Sequence, residues 1–311
     1  MKLRIGCCGW QYDDWVGPFY PLEKKDRKAE WLEYYGRFFD CVEIDSSFYS
    51  VPGQHTVNAW VQKGKRIKGE MGKKGQGGDF EFSLKMHQDI THARMVEGNI
   101  QEAVVKARDF ERSVCAPLAD NDLLGAVLLQ LSPYFHMFDK DRRPNLPVLK
   151  EVLGGLDTDK YRYVVEFRHR SWLDGSGNEI HPEALDILRE RKAAVCILDG
   201  PGFPATRAQT ADHAYIRFHG RNYDLWYTKD KAQDDTRINR YDYLYKEEEL
   251  NPWIGEVESI EERAREVRIV FNNHGHAKAV VNGLQFRKML GVDAPGKESA
   301  IPKKVTLDSF G

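Results

Sequence analysis

No apolar run in the 311-residue chain approaches the ~20 residues that a helix needs to cross a bilayer, which argues against a helical membrane protein. Cysteine is scarce and scattered: Cys7, Cys8, Cys41, Cys115 and Cys196 are odd in number, form no CxxC pair and have no histidine at zinc-finger spacing. Neither a disulfide framework nor a structural zinc site is expected. An excess of one charge is also lacking, because 46 Lys plus Arg stand against 48 Asp plus Glu, a net charge of −2. Nothing global draws such a chain to nucleic acid or an anionic membrane, so either partner would have to be met by a local patch. The opening MKLRIGCCGW runs into a strand-like segment without an apolar h-region or cleavage site. No signal peptide is therefore read, and the expected compartment is the cytoplasm. GxGxxG, HExxH and GxSxG are absent, so the signatures of a dinucleotide fold, a zincin and a nucleophile elbow are missing.

What the chain does have is 41% hydrophobic and 30% charged residues, the balance of a globular protein with a substantial core. Short apolar runs of strand length recur near 3–9, 41–45, 80–86, 124–131, 162–167, 193–199, 213–219 and 268–273. Helical periodicity falls between them near 27–38, 54–63, 98–113, 145–154, 182–191, 251–266 and 276–290; the sixth connection is too short and Pro/Gly-rich for a full helix. Eight such repeats without a linker-like shift in composition predict an α/β fold, a single-domain (β/α)8 TIM-type barrel over 1–311. Two segments depart from the cadence. Residues 63–79, rich in Lys and Gly, read as a flexible loop before the third strand, and 220–250 as a long aromatic and charged loop over the barrel mouth.

Alternation along each strand places side chains on opposite faces. In FEFSLKM, Phe80, Phe82, Leu84 and Met86 oppose Glu81, Ser83 and Lys85; in the seventh strand Ile216 and Phe218 oppose Tyr215, Arg217 and His219. Since the apolar face must pack on the helices, the polar face turns inward, mostly at the C-terminal ends of the strands. The inward set is Glu43, Asp45, Lys85, Gln130, Glu166, Arg168, Asp199, Arg217, His219 and Asn272, with Asn273 just beyond. Burying so many charges in one place is costly unless a ligand or a reaction requires them.

Lys85, Arg168 and Arg217 suit an anionic ligand, because the guanidinium fork grips carboxylate or phosphate. Glu43 and Glu166 could act as base and acid across the mouth, with His219 as proton shuttle and Lys85 beside them. Trp10, Tyr12, Trp15, Trp172 and Tyr223 offer aromatic walls, and His169 a further ligand contact. These residues suggest an enzyme performing proton transfer, of isomerase or epimerase type, on a small phosphorylated or carboxylated sugar-like metabolite. A metal-assisted variant, of hydrolase type, would use Glu43, Glu166, His169, His219 and Asn273 around Mg²⁺ or Mn²⁺, although three cations in the same mouth oppose it. No cofactor is otherwise implied. Two other classes stay open: a nucleic-acid-acting barrel using the basic 63–79 loop, Arg221 and the 223–245 segment as a single-strand groove, and a non-catalytic anion-binding protein.

The stretches GCCGWQYDDWVGPFYP at 6–21, VEIDSSFYSVP at 42–52, FSLKMHQDITH at 82–92, LLQLSPYF at 128–135, EFRHRSW at 166–172, AYIRFHGRN at 214–222, YDYLYKEEEL at 241–250 and VFNNHGHAKAVVNGLQ at 270–285 resemble the YecE-like family, domain of unknown function 72. They follow in order over nearly the whole chain. The resemblance implies a TIM-type barrel and, since the family's function is itself unsettled, no reaction; a loose likeness to sugar-isomerase and endonuclease barrels is one of fold. Cys7 and Cys8 stand where small hydroxyl residues are common in that family, Asp45 where Asn is usual and Ser132 where Pro is frequent.

Overall fold

A computed structural model describes residues 2–73, 79–226, 240–292 and 297–299. The apolar runs become eight strands: β1 (Lys2–Cys8), β2 (Cys41–Ile44), β3 (Glu81–Lys85), β4 (Leu124–Gln130), β5 (Tyr163–Glu166), β6 (Ala194–Asp199), β7 (His213–Phe218) and β8 (Glu266–Phe271). Each pairs in parallel with the next, and β8 closes onto β1. The predicted (β/α)8 barrel is the fold observed.

Parity divides the core as it should in a closed barrel. Val42, Ile44, Phe82, Leu84, Val165, Ile216, Phe218, Ile269 and Phe271 pack outward in the large cluster shared with the helices. The interior holds a smaller apolar belt that includes Ala126, Leu128, Val164, Ala194, Cys196, Leu198 and Val270. Polar side chains occupy both ends of this belt. The C-terminal end carries most of the set expected from alternation, and the N-terminal end carries Arg4, Glu81 and Arg268, all buried.

Two connections differ from expectation. After a short helix at Ser46–Tyr49, the long helix between β2 and β3 spans Gln54–Lys73, so most of the expected 63–79 loop is helical; residues 74–78 lie outside the described residues. Composition misled there, because Val57, Trp60, Val61 and Ile67 continue a buried stripe at helical spacing while Lys63, Lys65 and Lys68 stay partly or fully exposed. A Cβ at Gly64, on the same stripe, would come 2.7 Å from Leu123, which shows how closely this helix packs. In the 220–250 segment, a short helix forms at Tyr223–Trp226 and a long one at Glu247–Glu261, while 227–239 lie outside the described residues. The long helix starts four residues before the expected 251. Glu247, Glu248 and Glu249 suit the positive end of the helix dipole, and the Glu249 carboxylate accepts from the Lys246 backbone N–H at 2.9 Å. The connection from β6 to β7 holds no helix, as its Pro/Gly content predicts. Among the described residues no helix is long and apolar enough to cross a membrane.

Candidate functional site

Arg217, near the C-terminal end of β7 and 1% exposed, lies at the centre of the mouth. Its Nη2 donates to Glu43 Oε1 at 2.7 Å and its Nη1 to Glu166 Oε2, so one guanidinium spans the barrel from β2 to β5. Glu43 also accepts from Tyr215 Oη at 2.8 Å and from Cys8 Sγ at 3.1 Å. Glu166 gives its other oxygen to Arg168 Nη1 at 2.8 Å. His219 Nε2 stands 4.0 Å from that oxygen, and the Asn272 amide meets His219 Nδ1 at 2.9 Å. Beside this network Lys85 Nζ pairs with Asp45 Oδ1 at 3.0 Å and lies 4.0 Å from the centre of the Phe48 ring.

The electrostatics follow from these contacts. Burial opposes the charged form of Glu166, but Arg217, Arg168 and His219 outweigh it and hold the carboxyl well below the usual carboxylate range. Burial and then Arg217 push His219 far below an ordinary imidazole, so it is neutral at physiological pH. His92 is pushed down to about 4 by burial, Lys85 and Arg168. Burial, with Glu43 and Asp45 adding to it, drives the Cys8 thiol up, which makes it a hydrogen-bond donor and not a nucleophile.

The expectation that three cations await an anion is changed by this geometry. Lys85, Arg168 and Arg217 are matched by Asp45, Glu166 and Glu43, so no guest is needed to neutralise the mouth. Freedom to meet one is uneven. Glu43, Glu166 and Arg217 are inaccessible, whereas the side chains of Asp45 and Arg168 are 31% and 22% exposed.

Not every expected residue reaches this cluster. Asp199 points out of the barrel: it accepts from Arg221 Nη2 at 2.6 Å, Tyr245 Oη at 2.7 Å and Trp253 Nε1 at 3.1 Å, because Ala194, Cys196 and Leu198 take the inward positions of β6. Asn273 likewise turns away from Asn272, donating to Tyr243 O at 2.7 Å and Asn282 Oδ1 at 2.8 Å, which ties down the 241–245 segment. Trp172 is wholly buried between Phe135 and Phe167, with Nε1 on the Phe135 carbonyl, so it is core and no wall of a pocket. Trp15 is buried too, its Nε1 on the His274 carbonyl. Trp10 packs in the outer core, and Tyr223 is exposed. His169 stacks on His136 at 3.7 Å and accepts from the Ser171 backbone, which makes it a cap of the Arg170–Trp172 turn. Gln130 has the inward parity of Ala126 and Leu128 and lies in register with Glu166.

The aromatic wall of the mouth is Tyr12, His274 and Tyr241, stacked in series at 4.5 and 5.2 Å. Cys8 and Tyr215 were legible by parity, Cys8 sharing the face of Arg4 opposite Leu3 and Ile5, and Tyr215 that of Arg217; Tyr241 and His92, on connections, carried no alternation signal. The five residues expected around a metal do not converge, since His169 and Asn273 are engaged elsewhere. Among the described residues Cys8, Glu43 and Asp45 hold ligand atoms within 4.8 Å of one another, but Glu43 already accepts from three donors and fits a cation poorly. Arg221, offered for a single-strand groove, is bound to Asp199 and Glu249.

Comparison with known proteins adds the family. The family described as "Protein of unknown function DUF72" matches residues 4–305. YunF of Bacillus subtilis (strain 168), a UPF0759 protein, is 25% identical over 300 residues, covering 94% of this chain and 96% of YunF. A DUF72 family protein of Thermotoga maritima MSB8, known from its crystal structure, superposes with a TM-score of 0.75 at 29% identity, over 94% of this chain and 100% of that one. One from Enterococcus faecalis V583 gives 0.71 at 23% identity, over 94% and 96%, a likeness of fold. With the motifs, the barrel and a match over nearly its whole length in agreement, the chain belongs to the DUF72 family, the YecE-like proteins.

Proposed function

We propose that the protein is an enzyme of isomerase or epimerase type, moving a proton on a small sugar-like metabolite that carries a carboxylate or phosphate. The observation that carries the reading is His219, a neutral imidazole fixed by Asn272 and 4.0 Å from Glu166, in a mouth that also holds the partly open Asp45 and Arg168 and the buried Lys85. With the Asn272 amide donating to Nδ1, the ring proton sits on Nε2, where it can polarise a substrate carbonyl as a neutral donor. Arg168 uses one nitrogen on Glu166 and makes no second ion pair among the described residues, which leaves the rest of its fork for an anionic group. Asp45 is the accessible carboxylate and serves as base, with Lys85 placed to stabilise the enolate oxygen that forms. Glu43 and Glu166, saturated and inaccessible, are positioning residues in this scheme and hold Arg217 and Arg168 in place.

The test is a panel of sugar phosphates and sugar acids followed by NMR in deuterated water, where proton transfer appears as exchange of a carbon-bound hydrogen. His219→Asn and Asp45→Asn are expected to lower the rate by about 10²–10⁴-fold, the usual contribution of a positioned acid or base, and Arg168→Met to raise KM. Binding without exchange across the panel, or exchange unchanged in both His219→Asn and Asp45→Asn, overturns the reading; the first outcome would make the protein a binder of anions.

A further inference from the structure

The opposite end of the barrel carries a second charged site. A cavity of about 440 Å³, within the size range of small-molecule pockets, opens among the N-terminal ends of β1, β3, β4 and β8 and the start of β5. Arg4 and Arg268 line its inner part, 5% and 1% exposed. Arg268 Nη2 reaches Glu81 Oε2 at 3.1 Å and Glu266 Oε2 at 2.7 Å, while Arg4 pairs with Asp79 and approaches Glu81 Oε2 at 3.2 Å. Those carboxylates do not exhaust the donors: Nη1 of Arg4 and Nη1 of Arg268 are buried with no acceptor among the described residues. A buried guanidinium hydrogen left without an acceptor is costly, and natural structures seldom leave two such groups side by side.

Nearer solvent the imbalance grows. Lys2, Lys68, Lys160 and Arg162 line the cavity walls. Lys2 and Arg162 have partners in Asp79 and Glu266, at 3.4 and 3.0 Å. Lys68 Nζ is spent on the Asp122 backbone carbonyl, and Lys160 lies over the Tyr161 ring; neither makes an ion pair among the described residues. Six cations thus face the four carboxylates of Asp79, Glu81, Asp122 and Glu266, an excess of two positive charges around one concavity. Residue 125 keeps the inner part open. A Cβ on Gly125 would lie 2.5 Å from Glu81 Oε1 and 3.1 Å from Arg268 Nε, so a larger residue there would displace the Glu81–Arg268 pair.

We propose that this cavity is a binding site for a small, multiply charged phosphate-type anion of the pyrophosphate kind, gripped by Arg4 and Arg268 with Lys68 and Lys160 at its entrance. It is independent of the chemistry assigned to the mouth, from which the apolar belt of the barrel interior separates it. A ligand held there joins the starts of several strands, so binding raises the melting temperature of the chain as well.

The experiment is calorimetric titration of the full chain with inorganic pyrophosphate at fixed ionic strength, with sodium sulfate and chloride as controls, beside a thermal scan. The expected result is saturable one-to-one binding of pyrophosphate that weakens at least tenfold in the Lys68→Gln/Lys160→Gln double variant, whose exposed lysines lie outside the core. The mouth variant Arg168→Met should bind pyrophosphate as wild type does, which separates failure here from failure of the proposed catalytic reading. No saturable binding, an affinity unchanged by the double substitution, or an affinity lost on Arg168→Met overturns the site.

Discussion

Replacing Arg217 with methionine removes the cation that lies between Glu43 and Glu166 and leaves two inaccessible carboxylates facing each other. Breaking a buried ion pair on one side costs about 3–5 kcal/mol, because the abandoned charge has no water to return to. At about 2–4 °C per kcal/mol for domains somewhat smaller than this one, the melting temperature should fall by roughly 5–15 °C. The loss should also acquire a pH dependence with a definite sign. In the wild type Glu166 is held below its unfolded value, so the stability it contributes is present above the ordinary carboxylate range and is lost only on acidification. In the variant, burial and the nearby Glu43 are opposed at Glu166 only by Arg168, so its carboxyl is held down less than in the wild type. The stability that Glu166 contributes once ionised is therefore smaller in the variant, and the deficit is larger at pH 8 than at pH 5. Differential scanning fluorimetry across that range, with urea unfolding at pH 7, measures both effects. The triple variant Glu43→Gln/Glu166→Gln/Arg217→Met should recover most of the loss, since it removes the three inaccessible ions together and leaves unpaired only Arg168, whose side chain is 22% exposed. A single variant that melts with the wild type at every pH, or a triple variant no better than the single, refutes the view that Arg217 is the cation holding the two glutamates together.

The remaining predictions concern residues that the fold places away from the mouth. Asp199→Ala strands the donors of Tyr245 and Trp253 and should cost about 3 kcal/mol in urea unfolding, yet leave ligand affinity at the mouth unchanged; altered affinity would return Asp199 to the site. Trp172→Ala should destabilise by about 3–5 kcal/mol as a core truncation, and Trp172→Phe, which keeps the aromatic packing, should restore part of that loss, read by the same unfolding curves. Burial pushes the thiols of Cys7, Cys8, Cys41, Cys115 and Cys196 up, so none should react with a thiol reagent at pH 8 until the chain is unfolded, whereupon five should titrate. A thiol reacting quickly in the native protein would show an access route that the structure lacks.

Much of the barrel was legible because its rules are local. Alternation in β3 and β7 separates apolar from polar side chains so cleanly that each strand has one way to face the core, and Glu43, Lys85, Glu166, Arg217 and His219 were found that way. Where both faces of a strand are apolar, the rule has nothing to act on. In β6, AVCILD offers Val195 and Ile197 against Cys196 and Leu198, and only packing against the helices sends Asp199 outward. Asn272 and Asn273 are adjacent, so at most one could face the mouth.

The amino-acid sequence by itself determined the eight strands, their closure into a barrel and which strands would carry charge inward, since side-chain period and repeat length are properties of neighbours along the chain. Only the tertiary structure decided who neutralises whom. Register across the closed sheet sets Arg217 of β7 between carboxylates of β2 and β5, residues up to 174 positions apart, and Coulomb energy depends on those distances in space, which no local pattern encodes.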